Sequence, residues 1–332
     1  MKRVFLILLL VLLSVFCLPA MAQEPPQVLD EAELNAIVAS CLEGCGANES
    51  NFGLAFYYTG TDESFFYQAD NHFYSASLYK LPLCMRYAER VAQGELSWDT
   101  SYNTQSIDYL VYRTLVYSDN NTASSLVYRD TDFLYGTNPY SLYSGFSEEE
   151  LAQMRNANDF SPRFMLNTLK TLYDEPERFP RILDYMKDAC PEDYFRGILG
   201  DRYVIAQKYG QADGVLHTAG ILYTPTPIIL VVMCDHMYGQ RDAIERLAEA
   251  MADYSLELDA RLAEQKQQAA EQLEALATPV PTEKPQSVST AQATEAVIAE
   301  APAEQKSMLP FSLCCGAAVF VSCCVVLFRK KH

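Results

Sequence analysis

Apolar residues recur every three or four positions over residues 28–42, and that period predicts an amphipathic helix. Asp30 with Glu33 three residues on suggests a capping box, and Gly44 and Gly46 end the segment. Residues 51–58 and 64–69 are rich in aromatic side chains and are separated by Thr59-Gly60-Thr61-Asp62-Glu63, the pattern of a hairpin. Helical spacing returns from about residue 77 to 93, with Pro82 in its first turn and Gly94 as its stop. Residues 99–145 read as short helices rich in Tyr and Ser. Ser147 and Glu150 cap a helix predicted through residue 157, and further helices follow over 161–173, 178–190 and 193–199. The pattern then changes to strand over 204–209, 215–224 and 227–234, a meander whose first turn is Asp213-Gly214. A helix over 241–256 should pack back on it. The elements predict an α+β fold, an α/β sandwich with a five-stranded antiparallel sheet flanked by helices, beside a mostly helical lobe.

The two ends follow other rules. Lys2 and Arg3 precede an apolar run over residues 4–18, and then Pro19-Ala20-Met21-Ala22 offers a small-residue cleavage site. This reads as a secretory signal peptide. A lipid anchor on Cys17 is disfavoured, because Phe16 stands where a small residue is needed. Residues 309–328 carry no charge and precede Arg329-Lys330-Lys331-His332. That length spans a bilayer as a helix, and the basic tail stays on the cytoplasmic side. The expected organisation is a signal peptide over 1–22 and a globular domain over 23–258. A stalk over 259–307 comes next, first helical and then disordered and rich in Pro, Thr, Ala and Glu. A membrane helix over 308–328 and a tail over 329–332 complete it. The domain is thus expected outside the cell, anchored to its membrane.

A net charge of −18 argues against nucleic acid as a partner. Five of the ten cysteines fall in the domain: Cys41, Cys45, Cys84, Cys190 and Cys234. Cys41 and Cys45 are spaced for a local disulfide, and the other reading is small buried apolar side chains. No Cys/His spacing suggests a metal site, and no cofactor is expected.

Candidate chemistry begins at Ser77 and Lys80, one helical turn apart on one face. A serine hydroxyl needs a base to become a nucleophile, and a buried lysine can serve if its pKa falls. Two later stretches extend the pattern: Ser118-Asp119-Asn120, and Lys208-Tyr209-Gly210 before the second strand of the meander. Ser-x-x-Lys, Ser-Asp-Asn and Lys-Thr-Gly in this order resemble the class A β-lactamases and penicillin-binding proteins, a motif set long used to recognise them. Phe160-Ser161-Pro162-Arg163-Phe164-Met165 and Gly94-Glu95-Leu96-Ser97 also resemble that family, and the likeness covers about residues 28–258.

The resemblance implies roles. Ser77 attacks a carbonyl and is acylated; Lys80 is the base; Ser118 passes the proton to the leaving nitrogen. Asn120 holds Lys80 and the substrate amide. Lys208 supplies positive charge for a substrate carboxylate and helps to lower the pKa of Lys80. Gly210 completes the third motif, and the amides of Ser77 and Gln211 form an oxyanion hole. Two departures qualify this. Tyr209 replaces the Thr whose hydroxyl binds the carboxylate. The deacylating Glu-x-x-Leu-Asn segment is matched only by Glu148-Glu149-Glu150-Leu151-Ala152, with Ala for Asn, which makes Glu148 the candidate deacylating base. The expected activity is β-lactam hydrolysis. The alternatives are a D-Ala-D-Ala carboxypeptidase acting on peptidoglycan stem peptides, and a penicillin or peptidoglycan sensor with little turnover.

Overall fold

The computed structural model of the protein describes residues 28–102, 104–130, 142–152 and 158–277. The signal peptide, membrane helix, tail and most of the stalk expected from sequence lie outside these residues. No helix among the described residues is long and apolar enough to cross a membrane.

The aromatic and apolar runs form one antiparallel sheet. Its strands are β1 (Phe52–Tyr58), β2 (Glu63–Tyr67), β7 (Val204–Ala212), β8 (Val215–Tyr223) and β9 (Ile228–Asp235), in the order β2-β1-β9-β8-β7. The three central strands are buried almost throughout, because helices cover both faces. The two-residue period of a strand sorts their side chains. Ile229, Val231 and Met233 of β9 enter one core, and Ile228, Leu230, Val232 and Cys234 enter the other. Short pairs form from β3 (Phe73–Tyr74) with β6 (Asp159–Phe160), and from β4 (Ser101–Tyr102) with β5 (Gln105–Ser106).

The second core is closed by α1 (Glu31–Leu42), α8 (Phe195–Leu199) and α9 (Gln240–Ala277). The first lies under α2 (Lys80–Ala92), α3 (Ile107–Val116), α4 (Asn120–Val127), α6 (Pro162–Asp174) and α7 (Ile182–Lys187). A short α5 (Glu148–Ala152) precedes β6. Ser161 caps α6 by accepting the Phe164 N–H, and α6 packs on β1, β8 and β9.

Several expectations change in detail. Asp30 caps α1 through the amides of Ala32 and Glu33, but no capping box closes. The Glu33 carboxylate pairs with Arg261, and the Asp30 N–H donates to the Tyr254 hydroxyl. The box at Ser147 and Glu150 does form, with bonds of 2.7 and 3.3 Å. The helix it opens is described only to Ala152; residues 153–157 lie outside the described set. The segment expected over 178–190 breaks into a 3₁₀ turn, Pro176–Arg178, and α7. Residues 240–277 form one helix with no break near 258. The five domain cysteines are all free, and Cys41 and Cys45 form no disulfide.

Candidate active site

Ser77 follows β3 on a 3₁₀ turn, Ala76–Tyr79, which runs directly into α2. The α-helix therefore starts at Lys80, three residues later than the spacing suggests. Ala76 has φ +48°, a left-handed conformation that a non-glycine residue keeps only when its surroundings hold it. The Ser75 N–H donates to the Asn158 carbonyl at 2.8 Å, and its hydroxyl donates to Asn158 Oδ1 at 3.2 Å. Edge strand β7 presses on the same turn at Gly210. A Cβ there would lie 2.8 Å from the Ser75 carbonyl and 3.3 Å from the Leu78 nitrogen, so only glycine permits the approach. Ser77 is half-buried beside this contact.

Lys80, the first residue of α2, is wholly buried. Its Nζ donates to the Ser118 carbonyl at 2.5 Å, to Asn120 Oδ1 at 2.6 Å and to Ser118 Oγ at 3.3 Å. Those acceptors sit on the link between α3 and α4. Asp119 caps α4 through the amides of Asn121 and Thr122, and its other oxygen pairs with Arg113 at 3.0 Å. The hydroxyls of Thr114 and Thr122, 2.9 Å apart, join the two helices. Ser118 itself takes φ +52°.

The alternation of β7 turns Lys208 toward the helical lobe. It is wholly buried, and its Nζ donates to Ser118 Oγ at 2.9 Å and to the Tyr209 carbonyl at 2.6 Å. Ser118 Oγ thus accepts from both amines when they are charged, so its own proton must point elsewhere. Tyr209, one position on, packs with the second core and stacks on Tyr194 at 5.3 Å. The residue that replaces the expected Thr is committed to that stack.

Burial pushes the Lys80 amine from 10.5 down to about 8. Burial, and then repulsion from Lys80, holds Lys208 well below its ordinary value. The two amines repel each other when both are charged, so each makes the other's proton easier to lose. Among the described residues neither amine has a carboxylate ion-pair partner. Asp119 is the nearby described charge that opposes the fall of Lys80, and a ligand that brings negative charge would further relieve the repulsion between the two amines.

The structure brings together Ser77, Lys80, Ser118, Asn120, Lys208 and Gly210 from three separate stretches. Gln211 follows Gly210 on the edge strand, paired with Leu216 and exposed. Glu148 is exposed on α5, and no hydrogen bond among the described residues joins it to the cluster. Sequence reasoning missed Asn158, which bonds the residue two before Ser77, and His217, buried on the same sheet face as Lys208. The signal for His217 was a polar residue within the apolar run Val215-Leu216-His217-Thr218-Ala219-Gly220-Ile221.

The chain resembles known proteins in both sequence and fold. The TLA-3 extended-spectrum β-lactamase superposes with a TM-score of 0.55 at 18% identity, covering 68% of this chain and 99% of that one. A β-lactamase from Chitinophaga pinensis gives 0.53 at 20%, covering 68% and 98%. PBP-A gives 0.54 at 17%, covering 67% and 96%. At these identities the likeness establishes the fold. Among curated proteins none matches the chain significantly. The sequence model described as the β-lactamase enzyme family matches residues 31–255, which is more than half of the protein. The chain is therefore a member of the β-lactamase enzyme family.

Proposed function

We propose that the protein opens β-lactam amides through an acyl-enzyme on Ser77, and that acylation outpaces hydrolysis. The observation that carries this reading is the convergence of Lys80, Ser118, Asn120 and Lys208 beside the Ser77 turn. A neutral Lys80 takes the serine proton as Ser77 attacks the carbonyl carbon, and the tetrahedral oxyanion forms near the Ser77 and Gln211 amides. Collapse breaks the C–N bond; Ser118 hands its proton to the departing nitrogen and is reprotonated by the Lys80 ammonium, which so returns the proton taken from Ser77. An anionic substrate favours charge on Lys208, which the free site disfavours. Slow hydrolysis follows from Glu148, which is exposed and has no hydrogen bond to the cluster among the described residues. Tyr209, held in a stack where a hydroxyl for the substrate carboxylate was expected, alters substrate recognition instead. These same features favour a second reading, a D-alanyl-D-alanine peptidase that β-lactams trap. Export and a membrane anchor belong to the proposal too, supported by the apolar runs and basic flanks at the two chain ends.

The test is intact mass of the protein mixed with penicillin and followed over time. The expected result is an adduct that persists for minutes or longer, is absent in Ser77→Ala, and keeps its lifetime in Glu148→Ala. Rapid loss of the adduct with hydrolysed drug in solution would make the protein an efficient β-lactamase. No adduct would overturn the proposal.

A further inference from the structure

We propose that His217 is a positioning residue for Ser77: a neutral imidazole within the sheet that sets the backbone of the nucleophile turn without touching substrate. The inference rests on Ser77 being the nucleophile.

His217 lies in the middle of β8, opposite Gly210 on β7 and Met233 on β9, with no exposed surface. An apolar side chain would fill this place without any polar group to satisfy. An imidazole is stable there only if both nitrogens are paired. Both are. The Cys234 N–H donates to Nδ1 at 3.1 Å. A backbone N–H can only donate, so Nδ1 is the acceptor and the proton resides on Nε2. Nε2–H then donates to the Tyr74 carbonyl at 2.9 Å. With both nitrogens occupied, the ring has no lone pair to take a proton from Ser77, so it is not a general base.

The Tyr74 carbonyl is a telling acceptor. Tyr74 ends β3, a two-residue strand whose ladder partner is β6 rather than the five-stranded sheet. The His217 bond ties it to that sheet, and the His217 ring meets Phe73 edge-on at 5.8 Å. Two residues later comes the left-handed Ala76, then Ser77. Three devices therefore hold this strained turn: His217 on the Tyr74 carbonyl, Asn158 on Ser75, and the close packing of Gly210. Two of the three come from facing positions of β7 and β8. A sheet-borne clamp keeps Ser77 Oγ at a fixed distance from Lys80 and Ser118, and acylation is sensitive to displacements of about 1 Å.

The experiment measures the second-order rate of Ser77 acylation by a fluorescent penicillin in the full protein and in His217→Gln, His217→Asn and His217→Phe. Each protein's thermal midpoint is recorded alongside. Glutamine can place an amide N–H where Nε2–H stands. Asparagine is too short for that and reaches only the Cys234 side. Phenylalanine keeps the ring and neither bond. The expected result is His217→Gln within about tenfold of the parent, and the other two slower by about a hundredfold or more, with the probe's saturation constant little changed. If phenylalanine prevents folding, the Gln and Asn pair decides, because each keeps one bond. Equal rates for Gln and Asn, or losses that merely follow the thermal midpoints, would overturn the inference. A parent that forms no Ser77 adduct would overturn the nucleophile assignment and this inference together.

Discussion

Lys80 carries the pH dependence expected of the first chemical step. With its pKa near 8, roughly one lysine in ten is neutral at pH 7, so acylation should rise about tenfold per unit up to pH 8 and level off above it. A pre-steady-state pH profile with penicillin checks this; a flat profile from pH 6 to 9 would remove Lys80 as the base. His217 contributes a second dependence, on stability. Burial lowers it from 6.5 to about 4, with Asp235 the nearby charge that opposes the shift. Its contribution is complete above pH 6.5 and is lost as the pH falls through 4, because the unfolded chain takes up the proton first. His217→Gln should lack that part of acid destabilisation, a difference of up to about 3 kcal/mol between pH 7 and pH 4 in urea titrations. Ser77 and Lys80 were legible as a spaced pair, and Ser118 and Lys208 through the resemblance of the three motifs to a known family. His217 was not, since a strand pattern shows that a residue is buried but not which carbonyl of another strand it meets.

At the scale of elements, the critical contact is between β7 and the 3₁₀ turn. Gly210→Ala would drive a methyl into the Ser75 carbonyl, a backbone atom that cannot rotate away. The turn must shift, at a cost of about 1–3 kcal/mol. Acylation should fall about a hundredfold while circular dichroism stays native, because the strain is local to the nucleophile. An acylation rate within threefold of the parent would show that β7 does not set the turn. The strands themselves were readable, since aromatic and β-branched runs with Asp213-Gly214 between them define the meander and its register. The start of α2 was not. Ser77 to Tyr79 have helical spacing in sequence, but the close approach of β7 and the left-handed Ala76 tighten that turn into 3₁₀ form. The capping box at Asp30 failed for a similar reason. Glu33 found Arg261, more than two hundred residues away, a partner no local pattern reveals.

The described domain is a sheet with a core on each face and the motif cluster beside edge strand β7. Its last helix, α9, serves two environments. Up to Leu262 it packs against the second core, while residues 263–274 are exposed on every side. Ending the chain after Leu262 should therefore move the thermal midpoint by no more than a few degrees, as calorimetry on the shortened protein would show. A large drop would mean that the exposed turns support the core. The sequence showed the polar composition of this segment, but not its continuity with the packed helix before it.

That continuity has a mechanical consequence. At 1.5 Å per residue α9 is a rod of about 57 Å, and its inner half lies on β8 and β9. Tension applied at its outer end runs along the axis into the sheet, so many contacts must slide at once. Nothing peels away one residue at a time. The first helix, α1, is joined to the same rod by the Arg261–Glu33 pair and the Tyr254 hydroxyl. The first and last helices of the described domain thus share one brace.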